Sequence, residues 1–241
     1  MADNRLKMSF FRTIITLSAA AAMVLACAKA YDGREMAFPS SNSGEYYSDG
    51  KKAAKEATVT VVIKDGKYYL WIDADTFALI SNQDVCSGPG TRAVASYILL
   101  DTPDGQTPEV YVNWMEPIDT HPITTGEYKS GAAPAGDPLD IVDNWMTSCE
   151  GGYLTIRYTA WWGGKVRHDL SLVGGTSKDP YQLLLIHDAH NDPMEGISDA
   201  LVAFDLSSLP DTEGKTVTLK VLYKSLEGTV KTVEFAYCTA R

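Results

Sequence analysis

Apolar and polar residues alternate with a period of two along most of the chain from Thr58 onward, which is the pattern of half-buried β-strands. In the first such segment, Val59, Val61 and Ile63 share one face. Asp65-Gly66 then supplies a two-residue hairpin turn, because both positions tolerate a positive φ. No segment in either half shows a sustained 3.6-residue apolar stripe. The pattern therefore predicts an all-β protein.

The clearest strand is predicted over residues 153–162, where two opposite faces can be read directly. Gly163-Gly164 turns the chain after it, and a last hairpin is predicted over 217–237 around Glu227-Gly228. The inward face of the clearest strand consists of Leu154, Ile156, Tyr158, Ala160 and Trp162, and its outward face of Tyr153, Thr155, Arg157, Thr159 and Trp161. Short strands joined by glycine turns favour a β-sandwich.

A stretch rich in glycine, proline and alanine divides the chain near its middle. Such residues cannot pack a core, so we expect a linker over 131–136. The sequence then predicts a small β domain, a barrel or curled sheet, over 58–130. An antiparallel β-sandwich is predicted over 137–241.

The first residues are typical of a signal peptide. Arg5, Lys7 and Arg12 form a basic region, and an apolar stretch from Ile14 to Leu25 follows it. That stretch is shorter than the roughly 20 residues that a membrane-spanning helix needs. We therefore expect residues 1–26 to be removed after export.

The apolar stretch ends in Val24-Leu25-Ala26-Cys27, which resembles the bacterial lipobox. In that motif the cysteine thiol takes a lipid and becomes the new N-terminus, so Cys27 is the predicted lipidation site and membrane anchor. Cleavage at an ordinary Ala-x-Ala site is the alternative. Residues 27–57 have little apolar periodicity and are predicted to be a tether.

The composition excludes some functions and adds little about chemistry. A net charge of −10 argues against a nucleic-acid partner, since a phosphate-binding protein needs a basic face. Once Cys27 is lipidated, Cys86, Cys149 and Cys238 remain, and Cys149 with Cys238 is a candidate disulfide. No cofactor-binding motif is recognised, and we expect no cofactor.

Several short blocks of sequence recur in a known family. They are Asp137-Pro138-Leu139, Trp145, and segments 68–71, 90–99, 152–156, 168–173, 184–192, 202–209 and 216–237. Through these blocks the second half resembles the C-terminal β-sandwich of the NigD-like lipoproteins of anaerobic Gram-negative bacteria, and the first half is similar to the smaller OB-like domain of that family. The resemblance implies an OB-like barrel followed by a sandwich, but no reaction. Because the family is named for a bacteriocin-associated locus, the resemblance also implies, as an alternative, a role in bacteriocin production or self-protection.

His187, His190 and Asp192 form the segment that looks most like a metal or acid–base site. On a strand His187 and His190 point to opposite faces, so only a turn near Asp188 would bring them together. A strand end with polar groups satisfying turn backbone is the favoured interpretation, and a hydrolase or metal-dependent enzyme is the alternative. His168 lies among apolar neighbours and is predicted to be a hydrogen-bonded core histidine.

Trp161 is the best candidate for ligand binding, with Tyr153 and Arg157 on the same outward face. An exposed aromatic side chain near arginine suits a sugar ring or a peptide side chain. The other four tryptophans, including Trp145, are predicted to be buried.

The sequence thus predicts a non-enzymatic, lipid-anchored envelope protein that contacts a protein, peptide or glycan. A purely structural tether is a third reading. The segment Ala28–Asp32 lacks a run of acidic residues that would resemble a surface-export tag. We therefore expect an outer-membrane lipoprotein that faces the periplasm rather than the cell surface.

Overall fold

The computed structural model describes residues 53–72, 76–85, 88–124, 134–174 and 179–239, and these form an all-β chain with one short 3₁₀ turn at Gln83–Val85. The predicted signal peptide, Cys27 and most of the predicted tether lie outside the described residues. None of the described residues forms a helix long and apolar enough to span a membrane. The strands are β1 (Lys55–Lys64), β2 (Lys67–Trp71), β3 (Phe77–Ile80), β4 (Arg92–Leu99), β5 (Glu109–Pro117), β6 (Asp119–Pro122), β7 (Leu139–Ile141), β8 (Ser148–Glu150), β9 (Tyr153–Trp162), β10 (Asp169–Val173), β11 (Gln182–Asp188), β12 (Gly196–Asp205), β13 (Val217–Lys224) and β14 (Val230–Tyr237).

Strands β1 to β5 close into a barrel in the order β1-β2-β3-β5-β4. The predicted hairpin is confirmed, since Asp65 and Gly66 have φ values of 51° and 74° and Lys64 pairs with Lys67. The parallel pairing of β3 with β5 and the pairing of β1 with β4 complete the ring. This arrangement is that of an OB-like barrel, as the family resemblance implied.

Strands β6 to β14 form the sandwich, with sheets ordered β10-β11-β13-β14 and β6-β12-β9-β7. The predicted inward face of β9 is confirmed, because Leu154, Ile156, Tyr158 and Ala160 are all buried in the core between the sheets. The sandwich is not purely antiparallel, however. Strand β11 pairs with β13 in parallel, and β6 pairs with β12 in parallel.

The predicted domain boundary is wrong in position. Strand β6 at Asp119–Pro122 already pairs with β12 of the sandwich, so the barrel ends at Pro117. The chain passes from barrel to sandwich through Ile118, which is buried and therefore carries no glycine or proline signal. The stretch predicted to be a linker, of which the structure describes residues 134–136, comes instead between two strands of the sandwich, β6 and β7, in the sequence. The predicted tether is also slightly too long, since β1 begins at Lys55.

The barrel packs on the outer face of the sheet that contains β9 and β12. A small apolar cluster joins them, with Val94 and Ile118 packing against Leu201 and Ala203. Arg92 on β4 is buried beside this cluster, and its guanidinium group donates to three hydroxyl groups. Those acceptors are Thr155 Oγ1 at 3.0 Å, Thr60 Oγ1 at 3.1 Å and Ser148 Oγ at 3.3 Å.

Burial lowers the pKa of Arg92 to about 10, so the side chain stays cationic at neutral pH. The three hydroxyl acceptors come from β1 of the barrel and from β8 and β9 of the sandwich. Arg92 therefore ties the two folds together through hydrogen bonds that neither could make alone.

Candidate functional site

The outward face of β9 does not form one continuous binding surface. Tyr153 and Trp161 share that face, but they are eight residues apart, which is about 27 Å along a strand. The Tyr153 hydroxyl donates to the Gly90 carbonyl at 3.4 Å, and the Arg92 guanidinium lies 5.9 Å from its ring centre. Tyr153 therefore belongs to the junction with the barrel, and its predicted place beside Trp161 in one binding site is wrong.

Arg157 is already engaged in an ion pair on this face. Its Nε donates to Asp199 Oδ2 across the β9–β12 pair at 2.6 Å. A short, charge-assisted bond of this kind fixes the guanidinium group to the sheet. Arg157 thus lies on the predicted face but is held by the protein itself.

Trp161 is exposed at the end of the sandwich farthest from the barrel junction. It lies directly opposite Ile197 on β12, and Ile197 is 55% exposed. Met194, which is 66% exposed, precedes β12, and Val166 lies in the turn between β9 and β10. We call Trp161, Val166, Met194 and Ile197 together the apolar end.

Single exposed apolar residues are ordinary, but several at one end of a domain are typical of a contact surface. The remaining large apolar residues that the described part of the chain exposes, Ile63, Trp145 and Val230, lie on separate elements. The exposure of Trp145 also corrects its predicted burial. The apolar end is therefore the best candidate for a binding site.

A chain of buried polar side chains lies beneath the apolar end. His187 Nε2 is 2.9 Å from His168 Nδ1, and His168 Nε2 is 3.3 Å from Asp192 Oδ2. All three residues are at least 93% buried, with exposures of 2%, 5% and 7%. The His168 ring stacks on Trp162, with ring centres 3.7 Å apart. The predicted role of His168 as a hydrogen-bonded core histidine is confirmed.

Asp192 holds two loops together through its carboxylate. Gly163 N donates to Oδ2 at 2.6 Å, and Lys165 N donates to Oδ1 at 3.3 Å. These two amides belong to the turn between β9 and β10, whereas Asp192 belongs to the loop between β11 and β12. The same two loops carry Val166 and Met194, so Asp192 positions part of the apolar end.

The pKa shifts in this chain follow from burial and from the backbone bonds. Burial lowers the pKa of both His168 and His187, and the proximity of His168 lowers that of His187 further. Burial opposes ionisation of Asp192, but the Gly163 and Lys165 amides together with His168 outweigh it and lower the pKa of that carboxyl. The favoured state at neutral pH is therefore two neutral imidazoles and a carboxylate.

The three residues predicted as a metal or acid–base site are not brought together. His187 is buried on β11, whereas His190 lies in the turn after that strand, with a φ of 50°, and its Nε2 bonds Asp169 Oδ2 at 2.7 Å on the surface. Asp192 contacts His168 rather than His187 or His190. The described residues contain no group of three or more His, Cys, Asp or Glu side chains suited to a metal ion.

The candidate disulfide is not formed, because Cys149 and Cys238 are both free thiols. Cys149 packs against the sandwich core, whereas Cys238 is exposed. Successive residues of an extended chain point to opposite sides, and Tyr237 takes the inward direction. Cys238 is therefore directed away from the core against which Cys149 packs.

Comparison with known proteins identifies relatives of the same architecture. Residues 122–237 match the family described as the NigD-like C-terminal beta sandwich domain. A solved structure described as a toxin-related protein from Parabacteroides distasonis is 31% identical to this chain. The alignment covers 77% of this chain and 94% of that protein, and the two superpose with a TM-score of 0.61. The search of curated proteins gave no match.

Two further solved structures share the fold at lower identity. A NigD-like immunity protein from Bacteroides caccae is 23% identical. The alignment covers 81% of this chain and 100% of that protein, with a TM-score of 0.53. A protein described as a lipoprotein from Bacteroides fragilis is 14% identical, with coverage of 78% and 100% and a TM-score of 0.52.

Proposed function

Because this chain belongs to the family of NigD-like proteins, we propose that it is a non-enzymatic, lipid-anchored protein of the cell envelope that binds a partner protein through its apolar end. The observation that carries the proposal is the pairing of exposed Trp161 with exposed Ile197, flanked by exposed Met194. An exposed tryptophan paired with an exposed aliphatic side chain is a composition typical of a binding hot spot. The separation of His187 from His190 supports a function without catalysis.

Site-specific photo-crosslinking in intact cells tests the binding surface. A photoreactive amino acid would replace Ile197 or Met194, and Ile63 would serve as the matched control because it is a similarly exposed apolar residue on the barrel. We expect one shared product from positions 197 and 194 that is absent from position 63. Adding Trp161→Ala should abolish that product. The same products from all three positions would refute the proposal.

The anchor is a separate part of the proposal and has its own test. Lipidation at Cys27 should keep the protein with the membrane fraction, because acyl chains partition into the bilayer. A Cys27→Ser variant should lose the mass of the lipid and leave the membrane fraction. A variant that still sediments with membranes would exclude lipid anchoring at this residue. Protease treatment of intact cells would test the proposed periplasmic side of the outer membrane.

Self-protection is a second candidate function, and the neighbouring structures favour it. One neighbour is named as an immunity protein and another as toxin-related. In this case the partner of the apolar end is a toxin, and the chain blocks it by contact. Cells that lack the chain should become sensitive to culture fluid from toxin-producing relatives. The wild-type gene should restore resistance, whereas the Trp161→Ala gene should not.

A further inference from the structure

The Asp192–His168–His187 chain contains one proton too few to satisfy its own hydrogen bonds. It has three links that a proton can fill: Asp192 to His168, His168 to His187, and the outer nitrogen of His187 to its surroundings. Two neutral imidazoles supply two protons, and the carboxylate supplies none. The first two links have distances of 3.3 Å and 2.9 Å and take both protons. The third link is then empty.

The structure contains the buried polar atom without a hydrogen-bond partner that this proton count predicts. His187 Nδ1 is buried and makes no hydrogen bond to the described residues. The backbone carbonyl groups of Asp137 and Pro138 lie close enough to favour a proton on that ring. A third proton at Nδ1 would have these carbonyl groups as acceptors once the His187 ring turns towards them, and all three links would then be filled. Moving the proton between the two rings then shares the positive charge between them.

The added positive charge would change the balance between the two hydrogen bonds that the Asp192 carboxylate accepts from Gly163 and from His168. Its Oδ2 accepts from Gly163 N at 2.6 Å and lies 3.3 Å from His168 Nε2, which is long for a bond to a carboxylate. A charge-assisted N–H···O bond shortens to about 2.7–2.9 Å. A cationic His168 therefore draws the carboxylate towards itself and away from the turn that contains Gly163 and Lys165.

From these observations we infer that the Asp192–His168–His187 chain is a one-proton switch. On acidification the chain takes up a single proton, the Asp192 carboxylate moves towards His168, and the turn between β9 and β10 is released. The consequence for partner binding rests on the proposed function, since this turn carries part of the apolar end. Acidification then weakens binding by loosening the surface that makes it.

The charged groups around His168 and His187 influence the pH at which the switch operates. Asp137, which precedes β7, favours the cationic form of both buried rings, whereas His190 beyond β11 disfavours it for His168. His190 itself is held by Asp169 of β10 and Asp188 of β11. On the β9 side the chain meets the rings of Trp162 and Tyr158. In the turn between β9 and β10, the Lys165 ammonium group lies 3.5 Å from Glu195.

The histidine pKa shifts give the pH range and its sign. Burial lowers the pKa of His168 and His187, so the folded chain takes its proton at a lower pH than the unfolded chain, which does so near 6.5. Between these two values the unfolded state binds more protons, so this part of the fold loses stability as the pH falls. The pKa of His190 and His121 is raised by Asp169 and Asp119 respectively, and those two side chains titrate at higher pH.

The test is a histidine and amide NMR titration of the intact, partner-free protein in detergent, from pH 7.5 to 4.5. We expect His168 and His187 to titrate together with the uptake of one proton, below the range of His190 and His121. The Gly163 amide proton, shifted downfield by its 2.6 Å bond, should move upfield in the same transition. Trp162 emission should fall with it, because a stacked imidazolium quenches indole fluorescence.

A matched pair of variants separates the switch from general acid effects. His190→Gln removes an exposed histidine that disfavours a charged His168, so the Gly163 transition should remain and move only to a slightly higher pH. His168→Phe keeps a ring stacked on Trp162 but breaks the chain, and it should abolish the transition. If that variant does not fold, the wild-type titration still decides.

Two results would overturn the inference. One is a Gly163 amide signal that stays constant while the buried histidines titrate. The other is the uptake of a full proton by each buried ring independently. None of these measurements uses a partner, so failure of the proposed binding function would appear only in the crosslinking experiment.

Discussion

Gly163 is the position where a single methyl group should separate the two loops that carry the apolar end. A Cβ atom at Gly163 would lie 2.5 Å from the Pro193 carbonyl oxygen and 3.0 Å from Asp192 Oδ1. Restoring an ordinary contact of 3.4 Å with that backbone oxygen requires the two segments to move apart by 0.9 Å. If this displacement falls on the 2.6 Å bond from Gly163 N to Asp192, the bond reaches the limit of a hydrogen bond.

Gly163→Ala should therefore destabilise the protein by about 2 kcal/mol, the usual cost of forcing a methyl group into a packed site. Gly196→Ala is the matched control, because a Cβ there meets nothing within 4 Å. Both substitutions reduce the entropy of the unfolded chain equally, by about 0.4–1 kcal/mol, so their difference isolates the clash. Gly196→Ala should be neutral or slightly stabilising.

Urea unfolding followed by tryptophan emission gives the free energy of unfolding for both variants. The Gly163 variant should also lose the downfield amide signal of residue 163. If the two variants have free energies of unfolding within about 0.5 kcal/mol of each other, the loops do not meet as described and the positioning role of Asp192 is refuted.

Three further predictions follow from the burial of single side chains. Arg92→Ala should cost about 3 kcal/mol, because the buried hydroxyl groups of Thr60 and Thr155 and the half-buried one of Ser148 lose their donor. Arg157→Ala removes a partly exposed ion pair and should cost less than about 1 kcal/mol, and equal losses in urea unfolding would contradict the junction role of Arg92. Phe204→Ala empties a fully buried core position and should cost about 4 kcal/mol, and a loss below about 1 kcal/mol would contradict that burial. At pH 8 a maleimide should label Cys238 and spare Cys149, because burial raises the pKa of the Cys149 thiol to about 12. Detection by mass spectrometry of a disulfide bond between Cys149 and Cys238 in an oxidised sample would contradict this prediction.

Strand periodicity predicted the features that depend on neighbours in sequence. The two faces of β9 follow from the period-two geometry of an extended chain, and the hairpin at Asp65-Gly66 follows from residues that tolerate a positive φ. Trp145 shows the limit of this reasoning, because it lies in a turn between β7 and β8 where no periodicity applies. Its hydrophobicity alone favoured burial, and it is exposed.

The buried polar chain could not be predicted because its partners are distant in sequence. His168 lies 24 residues from Asp192, and the contact depends on how two loops meet at one end of the sandwich. A weak signal was present, since His168 lies among inward-facing apolar positions and a buried imidazole requires a partner. The sequence indicated that a partner exists but not which residue supplies it. Arg92 is similar, because its three acceptors come from three different strands.

The outward residues of β12 explain why the binding site belongs at one end of the sandwich. Along this row Ala203 and Leu201 are buried against the barrel, Asp199 pairs with Arg157, and Ile197 is exposed opposite Trp161. A free-standing sandwich would present polar residues along the whole row, since that face would meet water. The barrel accounts for the apolar residues on one side of the ion pair but does not reach those on the other side. An apolar pair that the described part of its own chain leaves uncovered is best explained by contact with another molecule, and Trp161 with Ile197 is that pair.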